Sequence, residues 1–148
     1  MVFKSGDKAV VLTNLTDTDK NYKYSIQPYL DSCKISHAEL YTLGQGISKS
    51  FIRKQGGFIQ FNHQNILIFD KQILNLQLPQ KLKTDYLYIT GNPYTDLNLI
   101  NKNYDYQTLI IDGSNTSKLI DQLEEQAKKK RVNYSVLKRN NSLIAVSN

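Results

Sequence analysis

"QTLIIDGSNTSKLIDQLEEQAKKKRVNYSVL", Gln107 to Leu137, reads as strand, turn, helix and second strand. The run Gln107 to Ile111 is rich in β-branched and aliphatic residues. Asp112-Gly113-Ser114-Asn115 breaks it as a turn, with Ser114 expected as the N-cap of the helix that follows, since a first helical turn has amide groups in need of acceptors. Over the helix, to about Lys130, Leu119, Ile120, Leu123 and Ala127 form one apolar stripe, while Lys118, Asp121, Glu124, Glu125 and Lys128 face away. Asn133 to Leu137 and Ser142 to Val146 are two closing strands. A strand, a helix and a strand in this order imply parallel pairing through a right-handed crossover.

The same grammar extends backwards. Asp85 to Thr90 is a strand that stops at Gly91-Asn92-Pro93, and Leu97 and Ile100, three apart, start a helix. Leu74 to Leu82 is irregular around Pro79. Phe58 and Phe61 frame a strand, Asn62-His63-Gln64-Asn65 turns it, and Ile66 to Phe69 returns as a buried-type strand closed by Asp70, so the pair reads as a hairpin. Ala38 to Leu43 is a strand ending at Gly44-Gln45-Gly46. Ser25 is expected to cap a helix with Pro28 in its first turn and Ile26, Tyr29, Leu30 and Cys33 on one face. Lys8 to Thr13 is the first strand, followed by a polar turn from Leu15 to Lys23. These elements predict one mixed α/β domain over residues 1–148.

At 148 residues, 40% hydrophobic and 22% charged, the chain is long and apolar enough to bury a core. Its longest aliphatic-aromatic run, Ile66 to Phe69, is far short of the roughly 20 residues a membrane-spanning helix needs. Met1 to Asp7 lacks the basic, apolar and small-residue segments of a signal peptide. The single cysteine, Cys33, excludes an internal disulfide and a multi-cysteine zinc site and is read as a small apolar residue on a helix. A net charge of +6 permits attraction to nucleic acid or anionic lipid.

Residues suited to chemistry are sparse. Only His37 and His63 are present, too few and too far apart for a three-ligand hydrolytic zinc centre, and each is read as a surface or hydrogen-bonded structural residue. Gly44-Gln45-Gly46 lacks the third glycine and the helix of a phosphate-binding loop. Ser114 has no histidine base near it in sequence. Lys128, Lys129, Lys130 and Arg131 close the long helix and Lys138 and Arg139 follow; these six are the candidate nucleic-acid contacts, although cations at a helix end also complement its dipole. Tyr86 and Tyr88, in alternating register, are read as sheet-face residues rather than stacking platforms.

Four stretches together resemble the C-terminal domain of ComEC-type DNA-uptake proteins. "YSIQPYLDSCKISHAELYTL" is similar to the helix, turn and strand that lead to the first metal-binding loop of that domain. "FIQFNHQNILIFD" resembles its hairpin ending in a Gly-Asp ligand. "LKTDYLYITGNPYTDLNLI" resembles the strand ending in a His-His-Gly-Ser turn, and Thr108 to Asn148 resembles the closing strand, helix and strand pair. The "IIDGSN" turn looks most like the Bacteroidetes branch, where metal-binding residues are often missing.

The resemblance implies a truncated metallo-β-lactamase-like sandwich of mixed β-sheet with outer helices. It implies a domain that follows a membrane channel of the same parent protein, on the extracytoplasmic, periplasmic face, with that channel and DNA as expected partners; a run of membrane-spanning helices ahead of Met1 would establish that context. The metal loop of the family falls on Thr42-Leu43-Gly44-Gln45-Gly46. The His-His-Gly-Ser turn falls on Gly91-Asn92-Pro93-Tyr94, and Phe69 stands where glycine precedes the ligand Asp70. Asp70, Asn92 and Pro93 are thus degenerate former-site positions, and a single remaining carboxylate cannot hold a catalytic metal pair. The expectation is a non-catalytic domain with no cofactor that supports DNA uptake. The alternatives are a hydrolase with a centre around Asp70, Asp96 and Asp112, or a standalone protein-interaction domain.

Overall fold

A computed structural model of the chain describes residues 1–74, 76 and 78–137. Lys138, Arg139 and the expected strand Ser142 to Val146 lie outside the described residues. The chain forms two compact units, Met1–Gly56 and Gly57–Asn148.

In the first unit, β1 (Val2–Ser5) and β2 (Lys8–Leu12) make an antiparallel hairpin, and β3 (Ala38–Tyr41) runs parallel to β2. The hairpin turns on Gly6, whose φ of 62° suits a residue without a Cβ. Two short helices, α1 (Lys20–Ser25) and α2 (Gln27–Ser32), link β2 to β3, and Tyr22 and Leu30 from them pack with Ala9, Val11 and Ile35 into a small core. A second hairpin, β4 (Ile47–Ser48) with β5 (Ile52–Gln55), follows. The helix start expected at Ser25 is corrected. Ser25 ends α1, whose N-cap is Asp19 accepting from the Asn21 amide, while α2 starts at Ile26 without a side-chain cap and with Pro28 in its first turn. The polar stretch before Lys23 hides α1 because one side chain, Tyr22, is all that helix buries.

The second unit is a mixed sheet in the order β10-β9-β8-β7-β6. Its strands are β6 (Phe58–Phe61), β7 (Gln64–Phe69), β8 (Leu82–Ile89), β9 (Tyr104–Asp112) and β10 (Asn133–Leu137). β6 and β7 form the expected hairpin, and β7, β8, β9 and β10 are successively parallel. Register places Leu67 beside Leu87, Leu87 beside Leu109 and Leu109 beside Tyr134. Two residues on, Phe69, Ile89, Ile111 and Val136 make the next row. Period-two alternation puts both rows on one face, and the helices α3 (Leu97–Asn103) and α4 (Ser117–Lys130) cover it with Leu97, Ile100, Leu119, Ile120, Leu123 and Ala127. Phe69 and Tyr104 meet edge to face, centroids 5.6 Å apart. Two mixed sheets with helices packed on them are the α/β architecture expected and are consistent with a truncated sandwich.

Candidate functional site

Parallel pairing brings the carboxyl ends of β7, β8 and β9 to one edge of the sheet, so Asp70, Thr90 to Pro93 and Asp112 to Thr116 are neighbours there. The Thr90 amide donates to Phe69 O at 3.0 Å, and a Cβ on Gly91 would lie 4.0 Å from that of Asp70. This is where ligand-binding residues collect in open α/β sheets, because strand ends and helix starts leave loops free to be shaped.

The turn after β8 is a tight, left-handed one. Gly91 has φ 72° and Asn92 φ 54°, and glycine and asparagine are the residues that tolerate that region best. Asn92 is then tied to the turn after β9 on both of its faces. Its amide donates to Asn115 Oδ1 at 2.8 Å, and its own Oδ1 accepts from the Thr116 amide (3.1 Å) and the Thr116 hydroxyl (2.9 Å). Asn115, 5% exposed, donates through Nδ2 to Ile89 O and to Asp112 O, each at 2.8 Å. Two asparagine side chains therefore link both turns to the end of β8. Pro93 is buried behind them.

Asp112 is the best-held carboxylate. Its Oδ2 accepts from the Thr90 hydroxyl at 3.0 Å and from the Ser114 hydroxyl, and the Tyr88 hydroxyl also donates to it. Partial burial pushes this carboxyl upward, but the hydroxyls of Ser114, Tyr88 and Thr90 and the Ser114 amide together hold it below the ordinary aspartate value. The same burial and the adjacent carboxylate push the Tyr88 phenol up. Ser114 is thus drawn back to Asp112, and the N-cap of α4 is Thr116, whose Oγ1 accepts from the Leu119 amide, a correction to the Ser114 assignment. Asp96 Oδ1 caps α3 by accepting the Asn98 and Leu99 amides, and Gln126 of α4 accepts the Leu97 amide at 2.8 Å. Asp70 Oδ1 accepts the Gln72 amide at 2.8 Å. Asp70, Asp96 and Asp112 each serve a local turn or cap.

Among the described residues no group of three or more His, Cys, Asp or Glu side chains is placed to hold a metal ion. His37 and His63 are both exposed.

Within the first unit, the loop Thr42 to Gly46 is organised around a side chain that sequence reasoning missed. Lys54 is 3% exposed, and its ammonium donates to Leu43 O (2.6 Å), Gln45 O (3.1 Å) and Gly56 O (2.8 Å). Burial lowers its pKa. The available signal was the alternation in β5, where Ile52 and Lys54 share the inward face.

The expected basic cluster is partly neutralised. Lys128 pairs with Glu124 at 2.9 Å and Lys129 with Glu125 at 2.6 Å, each one helical turn back. Lys130 and Arg131 are exposed. Arg131 ends α4 in the left-handed region at φ 54° and donates its amide to Ala127 O and Lys128 O.

A sequence model of one family, the ComEC C-terminal domain, matches residues 1–147. The chain belongs to that family. No curated protein and no solved structure matches it. The ComEC C-terminal domain assignment agrees with the resemblance drawn from the four sequence stretches, and it fits a competence-type parent protein. No helix among the described residues is long and apolar enough to cross a membrane.

Proposed function

We propose that this ComEC C-terminal domain is a non-catalytic module that supports DNA uptake by a membrane-embedded parent protein, touching DNA weakly and without sequence preference. The observation that carries this reading is the pair of turns after β8 and β9. At the sheet edge where the resemblance expects metal ligands, Asn92 and Asn115 spend their side chains on backbone groups and on Thr116. Such a network fixes the turns and commits both asparagine side chains to internal hydrogen bonds. The extracytoplasmic placement, with a membrane channel of the same parent as partner, is part of the proposal and rests on the family kinship.

The hydrolase reading requires Asp70, Asp96 and Asp112 to act together. Each has an oxygen committed to a separate local structure, so the non-catalytic reading is favoured. The test is incubation of labelled single- and double-stranded DNA with the protein and magnesium, manganese or zinc, across a salt series. Retention at low salt with intact DNA is expected, and log K should fall against log salt with a slope of about 0.9 per phosphate contacted on duplex and about 0.7 on single strands. Metal-dependent cleavage would overturn the non-catalytic part. No retention at about 20 mM salt, where screening is weak, would overturn the DNA contact.

A further inference from the structure

Beside the closed turns, a cleft of 390 Å³ runs between the loop Asn92 to Asp96 and the first turns of α3 and α4. That volume is at the small end of ligand clefts. Tyr94 stands on its rim with 93% of its surface exposed, and Leu99, 46% exposed, continues the apolar wall. Lys118 and Gln122 of α4 also line it. Asp96 is the carboxylate of this lining, and one of its oxygens is held by the α3 amides. An exposed aromatic ring, a cation and an amide around one cleft of this size are the parts that one unpaired nucleotide requires. The ring stacks on the base, the ammonium meets the phosphate and the amide meets a base edge.

We propose that this cleft, rather than the basic end of α4, is the place where single-stranded DNA docks, with Tyr94 as the stacking platform and Lys118 as the phosphate contact. The inference rests on the DNA-contact reading above and gives it a site and a strand preference. Lys128 and Lys129, the first half of the basic cluster, already have carboxylate partners, whereas Lys118 is an exposed lysine with no ion pair among the described residues. Duplex DNA keeps its bases stacked on one another, so the ring is of use only to an unpaired strand.

The test is fluorescence anisotropy of a labelled oligothymidylate of about 12 nucleotides, within the site sizes of single-strand binders, and of a duplex of equal length, at low salt. The variants are Tyr94→Ala, Lys118→Glu and the double variant Lys130→Ala with Arg131→Ala. Tyr94→Ala is expected to weaken single-strand binding about tenfold, the scale of one lost stacking contact, and to leave duplex binding unchanged. Lys118→Glu is expected to weaken single-strand binding at least as much, and the double variant less than either. Because Tyr94 and Lys118 are exposed, these changes leave the core untouched. Wild-type binding that survives Tyr94→Ala and Lys118→Glu but is lost in the double variant would overturn this inference and leave the DNA-contact reading standing. A wild-type protein that binds neither probe would overturn both.

Discussion

Asp112 gathers three hydroxyl donors on one side chain, and the consequence is a stability that depends on pH. Its carboxyl titrates below the ordinary value in the folded chain, so the folded state binds fewer protons than the unfolded one between the two values. The contribution is complete above the unfolded pKa of about 3.9 and is lost as pH falls through the folded value. Asp112→Asn keeps the shape and removes the charge. It should cost about 1–2 kcal/mol at pH 7, from weakened charge-assisted hydrogen bonds. In urea titrations the gap from wild type should close as pH falls below about 4. Asn92 gives a second residue-scale prediction, because its φ of 54° and its side-chain bonds can be separated. Asn92→Gly and Asn92→Ala both remove the bonds to Thr116, and the alanine adds left-handed strain, so it should be the less stable of the two by about 1 kcal/mol. Lys54 is the third case. Lys54→Met leaves Leu43, Gln45 and Gly56 carbonyls without their shared donor and should cost about 2–3 kcal/mol, with earlier proteolytic cutting in residues 42–46.

At the scale of elements, α4 ends on an arginine in a conformation that favours glycine. Arg131→Gly should therefore raise the urea midpoint by an amount worth about 0.5–1 kcal/mol, and a fall in stability would show that the arginine side chain is anchored. The elements that the sequence discloses are those with a long pattern. α4 carries its whole stripe in fourteen residues, and β9 and β7 are buried enough to read as unbroken apolar runs. β1 and β4 are short and half exposed, so alternation has no room to speak, and α1 buries too little to show a period. Phe58 marks a limit of another kind: the ring suggests the core, yet Ile59 is the buried neighbour and Phe58 is 47% exposed. The turns after β8 and β9 are legible as Gly-Asn-Pro and Gly-Ser-Asn-Thr breaks. Their mutual bonds are not, because Asn92 and Asn115 meet only once the strands lie parallel. Ser114 and Thr116 are chemically equivalent as caps, and what separates them is the pull of Asp112 on the Ser114 hydroxyl.

For the whole molecule, one family spans residues 1–147 while the fold divides at Gly56 into two compact units. Each unit holds one of the loops on which the resemblance places the family's metal ligands. In the first, the loop Thr42 to Gly46 wraps the Lys54 ammonium; in the second, the strand-end turns are closed by asparagines. Both arrangements use the local backbone polarity internally, and the non-catalytic reading proposed above is built on that. Metal content is the most direct check on that account. Protein purified without chelator and analysed for zinc, manganese and iron should carry far less than one ion per chain. Stoichiometric zinc or manganese, removed by chelator together with a DNA-cleaving activity, would contradict it.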